Sequence, residues 1–150
     1  MKAGAARGQA GFTLIEVLIV TAVIGILCAI VLVSLLAAFE KSKQRATMAD
    51  MRTVSKAIET YQIDLGHYPA NGVTIAQLRL ILIPYQVNVV PLQDHWQHDY
   101  SYASDGQNNY TIESYGKDGV DGLNISAATK WQFDRDIVLS NGFFVASPEL

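Results

Sequence analysis

The chain has 150 residues with 11 basic and 14 acidic side chains, a formal charge of −3. That size points to one domain, and no cluster of Lys and Arg forms a nucleic-acid footprint. A single cysteine, Cys28, excludes an intramolecular disulfide, and half of the residues are apolar but unevenly spread.

The chain opens on a short polar, basic stretch, MKAGAARGQAG, and then turns apolar. From Phe12 to Phe39 the only carboxylate or base is Glu16. A run of this length can cross a bilayer, for which roughly 20 apolar residues suffice. It is a poor secretory signal, which puts its apolar region before the cleavage site: here the apolar segment follows Gly11, and Ala37-Ala38-Phe39-Glu40-Lys41 offers no good small-residue cleavage site after it. A signal anchor fits better, with Lys2 and Arg7 held in the cytoplasm and the bulk of the chain outside it. Setting those two aside leaves 9 of the 11 basic residues against 14 acidic ones. Cys28 reads as a small hydrophobe facing lipid or a neighbouring helix.

Glu16 is the anomaly in this run, because a carboxylate at the start of a span is costly unless paired, protonated or interfacial. If the chain is cut between Gly11 and Phe12, Glu16 becomes the fifth residue of the mature protein. The new α-amino group then offers a positive charge at the same depth, so Glu16 of one copy can neutralise the amine of the next. The alternative is a glutamate that sits among headgroups.

Past the run, Met48, Met51, Val54, Ile58, Tyr61 and Leu65 recur at helical steps, with charged residues between them. No Pro or Gly interrupts Ile26 to Leu65. The spacing predicts one helix from Phe12 to Leu65, about 80 Å at the usual rise, ended by Gly66 and Pro69. Thr74 to Ile83 reads as a short second helix stopped by Pro84. Residues 100–102 and 110–114 predict an antiparallel hairpin around Asp105–Asn109. Residues 136–139 and 143–145 predict another, with Asn141-Gly142 as a tight turn. The expected fold class is α+β: a helical spine, transmembrane then amphipathic, packed on a small antiparallel sheet. The expected organisation is a leader at 1–11, a transmembrane or filament-core helix at 12–39, and an amphipathic helix with a globular head at 40–150.

One region offers a small-ligand site. Ser114, Asp118, Asp121, Asn124, Asp134 and Asp136 supply hard oxygen donors of the kind Ca²⁺ takes. Without a disulfide, an ion that binds only the folded loop would stabilise a small head. The competing reading is a solvated turn region, since Asp and Gly are common in turns, with Arg135 pairing Asp134 or Asp118. His95 and His98 stand three apart, but a zinc site needs three or four ligands in register. No nucleophile elbow, P-loop or paired catalytic carboxylates appear, so no enzymatic activity and no organic cofactor are expected.

Gly11-Phe12-Thr13-Leu14-Ile15-Glu16-Val17-Leu18-Ile19-Val20 resembles the class III signal of type IV pilins and type II secretion pseudopilins. The resemblance implies that a prepilin peptidase cuts after Gly11 and methylates Phe12, and that Glu16 serves assembly. Gly66-His67-Tyr68-Pro69 is similar to the tyrosine-proline segment of G-type major pseudopilins. Pro91 to Tyr100 is similar to their approach to the first strand, where Asp-Pro-Trp-Gly is usual and His95 and Gln97 depart from it. Ser114 to Gly119 resembles the turn opening their calcium loop, and Asp136-Ile137 its end. That likeness implies ligands at Asp118 and at acids just before Ile137, although Arg135 stands where a second acid is expected and the loop is longer.

The implied function is a structural subunit of a type II secretion pseudopilus, polymerising through its N-terminal helix to drive export across the outer membrane. Implied partners are further copies of the chain, the prepilin peptidase, an inner-membrane assembly platform and minor pseudopilins. The implied location is a single-pass inner-membrane protein with a periplasmic head, extracted into a filament. A type IV pilus subunit is the rival reading; the lack of a C-terminal cysteine pair and the Ser114–Gly119 turn weigh against it. A membrane-anchored periplasmic enzyme or binding protein would need a pocket with convergent polar groups.

Overall fold

A computed structural model of the protein describes residues 11–83, 86–122 and 132–148. The chain divides into two compact units, Met1–Ala38 and Phe39–Leu150, and the division falls inside the first helix.

Helix α1 spans Leu14–Leu65. It begins two residues later than its apolar pattern, because Thr13 caps it. The Thr13 carbonyl accepts from the Glu16 N–H at 3.2 Å, and its hydroxyl accepts from the same N–H at 3.4 Å. The helix ends as Gly66 turns into left-handed backbone (φ 80°) while its N–H donates to the Gln62 carbonyl at 2.8 Å, the usual glycine stop.

Within the first unit, every described residue is exposed. The side chains are apolar on all faces, and α1 is long and apolar enough there to cross a membrane.

The second unit carries its own core. On α1, Met48, Met51, Val54, Ala57 and Ile58 are buried, one stripe of an amphipathic helix. The predicted stripe runs out early: Tyr61 is only partly buried and Leu65 is 55% exposed. Helix α2, Ile75–Leu82, starts at Thr74, whose hydroxyl accepts from the Gln77 N–H while the Gln77 side chain accepts from the Thr74 N–H. This reciprocal cap satisfies two donors that a helix start leaves free. Ile75, Leu78 and Leu82 of α2 join the same core.

Four strands, β1 (Ser101–Ser104), β2 (Tyr110–Ser114), β3 (Ile137–Ser140) and β4 (Phe143–Ala146), form one antiparallel sheet in chain order. Both hairpins lie where the sequence places them. Asp105 holds the first loop: one carboxylate oxygen accepts the N–H groups of Gln107, Asn108 and Asn109. Asn141 and Gly142 take φ 48° and 83° in the second, the mirror-image turn that matches strand twist. Tyr102, Tyr110, Ile112, Ile137 and Leu139 complete the core. A buried polar contact ties α1 to β2: the Tyr110 hydroxyl lies 2.7 Å from Ser55 Oγ and donates to Glu59 at 2.9 Å.

Candidate functional site

Two places carry the residues singled out by the sequence. In the first unit, Gly11 and Phe12 precede the helix in non-helical backbone, and Phe12 is 78% exposed. Among the described residues, nothing would meet a Cβ at Gly11 within 4 Å. Glu16 lies in the first turn of α1. There the helix dipole favours a negative charge, and its carboxylate is exposed with no partner among the described residues.

The second place is the loop leaving β2 and returning to β3, and it is braced from below. Asp94 is buried and accepts from the N–H groups of Trp96 and His98 at 2.9 Å each, and from the Ser114 hydroxyl at 2.7 Å. His98 Nδ1 donates to the Gly116 carbonyl at 2.9 Å. Gly116 (φ 64°) lies so close to the returning chain that a Cβ would stand 2.7 Å from the Arg135 carbonyl oxygen and 2.8 Å from that of Phe133. The Lys117 N–H donates to Phe133 at 2.8 Å and closes the loop. Trp96 Nε1 donates to Glu40 at 2.7 Å, and Lys117 Nζ lies 3.6 Å from the same carboxylate. The Trp96 hydrogen bond, followed by the Lys117 charge, holds the Glu40 carboxyl below its ordinary value.

On this brace, oxygens of Glu113, Asp121 and Asp136 lie within 4.8 Å of one another. Asp136 is 1% exposed. One of its oxygens accepts from the Gly122 N–H at 2.9 Å, and the other is buried without a partner among the described residues. Burial raises the Asp136 carboxyl, and the charges of Asp121 and Asp118 push it further. Burial likewise raises Glu113, with Asp136 and Asp121 adding to it. Three like charges and an orphaned oxygen make a destabilising arrangement that a divalent cation would relieve, and the all-oxygen donor set suits Ca²⁺. The residues therefore fit the ion.

Of the loop residues predicted from sequence, Asp121 and Asp136 come together. Ser114 is turned inward to Asp94. Asp118 accepts from the Val120 N–H at 3.1 Å. Asp134 is exposed, and Asn124 lies outside the described residues. Arg135 Nε donates to the side chain of Gln132. Glu113 joins the group unannounced; its only sequence signal is an acid inside a strand, where Glu is depleted. His95 and His98 go to separate partners, Asp50 and Gly116. Gln97, at the position where the resembled family has glycine, has φ 73°.

The sequence model of the family described as type II secretion system (T2SS), protein G, matches residues 34–129. A model of the prokaryotic N-terminal methylation motif matches residues 6–39. The type II secretion system core protein G of Vibrio cholerae is 30% identical over 132 residues, which cover 77% of this chain and 88% of that protein. Its counterpart in Aeromonas hydrophila is 32% identical over 127 residues, 77% of this chain and 88% of that one. The Klebsiella michiganensis protein of the same name is 29% identical over 126 residues, 77% and 89% of the two chains.

Proposed function

The chain belongs to the type II secretion system protein G family and is a structural subunit of the secretion pseudopilus, and we propose that it polymerises through α1 to drive export across the outer membrane. The observation that carries this is the first unit: a helix apolar on every face, its described residues all exposed in the single chain, with one acid in its first turn that has no partner among the described residues. Such a surface is stable only in lipid or against other copies. It serves as a membrane anchor before assembly and as the packing surface of the filament afterwards. We infer cleavage between Gly11 and Phe12 by a prepilin peptidase, with methylation of Phe12. The new amine then gives Glu16 of an adjoining subunit its counter-charge. The head is periplasmic in this reading, and the assembly platform and minor pseudopilins are the other partners. The role is mechanical, and no chemical step is assigned to the chain.

Mass spectrometry of the mature protein should give Phe12 as the first residue, carrying one methyl group; a chain that retains Met1 would exclude processing. Glu16→Ala should remain in the membrane and form no filaments, whereas filaments at the normal level would remove its pairing role.

We further propose that Glu113, Asp121 and Asp136 hold a structural Ca²⁺. The ion supplies positive charge that neutralises the three carboxylates and staples the loop to β2 and β3, in a head that has no disulfide. Chelation should lower the melting temperature of the Phe39–Leu150 head, and added Ca²⁺ should restore it. At about 100 times the dissociation constant the ion stabilises by ~2.7 kcal/mol. An unchanged melting curve in EDTA would rule the site out.

A further inference from the structure

The sheet has two edges, β1 and β4, and both are open. Among the described residues, no backbone hydrogen bond of Ser101–Ser104 reaches beyond β2, and none of Phe143–Ala146 reaches beyond β3. Neither strand contains a charged residue or a proline, the usual guards of an edge. β4 instead turns apolar side chains outward, with Phe143 78% and Val145 66% exposed. Two open grooves lie along β1, one of about 350 Å³ beside Gly72, Val73 and Ser101 and one of about 330 Å³ beside Asn71 and Ala103.

The charges beside the two edges are opposite. Arg45, Arg52 and Lys56 are exposed on α1 and line one groove. Arg52 lies over the Phe144 ring, 5.1 Å from its centre, which places these cations beside β4. Asp99 and Asp105 are exposed and flank β1. The ion pairs among the described residues engage none of these five side chains. The charges also stand at matching levels. The Tyr100 hydroxyl, next to Asp99, reaches the Thr47 carbonyl near Arg45, and Tyr110, the partner of Ser104, reaches Glu59 near Lys56.

Register links the edges as well. Ala103 pairs with Thr111, Thr111 with Ser140 and Ser140 with Phe143, so Ala103 and Phe143 end one cross-strand row. The irregularity in β3–β4 pairing falls between Val138 and Leu139, outside that row. Four antiparallel strands in chain order leave β4 antiparallel to β1. Copies that stand side by side and point the same way can therefore continue the sheet. A contact between two different surfaces does not close in a pair; it propagates from copy to copy. We propose that β4 of one head docks on β1 of a second copy by edge pairing, with Phe143 beside Ala103 and the Arg45–Lys56 face toward Asp99 and Asp105. This rests on the filament reading above, in which all copies share one direction, and adds a head-to-head contact separate from the Glu16 pairing. Backbone hydrogen bonds and the covering of Phe143 hold the contact. The charges act on encounter and register, and their effect weakens as salt rises.

The test is pseudopilus yield from the full-length chain in its own secretion system at low salt. Phe143→Lys guards the edge and should lower filament yield about tenfold, with the melting of the head unchanged because Phe143 is exposed. Arg45→Glu and Asp99→Arg should each lower yield about threefold. Combining those two should restore it, which a folding defect would not do. Asp105 is left in place because it holds the β1–β2 loop. A second measurement uses a Cys28→Ser background. Ala103→Cys and Phe143→Cys together should give a ladder of disulfide-linked copies under oxidation, and either alone should give none. The docking proposal is overturned if Phe143→Lys assembles at the wild-type level, if the charge-swapped pair assembles as poorly as its parents, if the ladder is missing, or if the β4 cysteine links to a different protein. Those results, with wild-type filaments present and Glu16→Ala filaments absent, leave the pseudopilus reading standing. Absence of wild-type filaments would overturn both.

Discussion

The two units of this chain solve the same problem, apolar surface in water, in opposite ways. In Phe39–Leu150, stripes from two helices and the inner positions of the sheet meet in one core, where Met51, Ile58, Leu78, Leu82, Ile112, Ile137 and Leu139 are all at 0% exposure. In the first unit, 17 large apolar side chains from Phe12 to Leu36 are exposed. Full burial stabilises such a side chain by roughly 1.5–3 kcal/mol, so leaving them all in water costs several tens of kcal/mol. A domain's net stability is only about 5–15 kcal/mol. No head of this size offsets that, so the segment needs lipid or other copies, whereas the head needs neither. The difference fits the proposed assembly through the first unit, with the head folding around its own core.

Substitutions in the head should change its melting while leaving membrane insertion intact, and any that abolish insertion would break the division. The largest effect is expected at Gly116→Ala, where a Cβ meets two carbonyl oxygens and the backbone is left-handed. Strain and overpacking together should cost about 3 kcal/mol, read from thermal denaturation of Phe39–Leu150.

Asp136→Asn should change sign with the ion. In EDTA it removes like-charge repulsion and stabilises the head by on the order of 1 kcal/mol; in Ca²⁺ it removes a ligand and destabilises. The same sign in both conditions would contradict the proposed role of the cluster.

Gln97→Gly should stabilise the head by about 1 kcal/mol in chemical denaturation, because glycine accepts φ 73° without a steric penalty.

The smallest effect is a pH dependence at Glu40. Its folded pKa is lowered, so its contribution is present above the ordinary Glu value and is lost as pH falls through the folded value. The Trp96 emission should shift in that acid range, and Glu40→Gln should flatten the shift.

Much of this architecture was legible because its signals are local. The apolar run, the Gly66 stop, the short helix from Thr74 and the Asn141-Gly142 turn are each contained within a short window of sequence. The stripe to Leu65 was read too long, since periodicity does not say where the packing partner ends. Within the candidate site, Asp121 and Asp136 stood out as hard oxygen donors in an Asp-rich loop. Glu113 did not, because only the β2–β3 pairing brings it to them. Asp94 and Glu40 were equally hidden: their partners Ser114 and Trp96 lie 20 and 56 residues away in the chain. Roles that depend on closing such distances leave no periodicity to read.

The most direct test of the division between the units uses the lone cysteine, Cys28, which is exposed in the single chain. Labelling with a small apolar maleimide that enters detergent micelles should leave Cys28 protected in sheared pseudopili, and dispersal of the same filaments into detergent monomers should make it reactive. Equal labelling in both states would contradict the packing of the apolar helix against other copies, and with it the account of how this protein assembles.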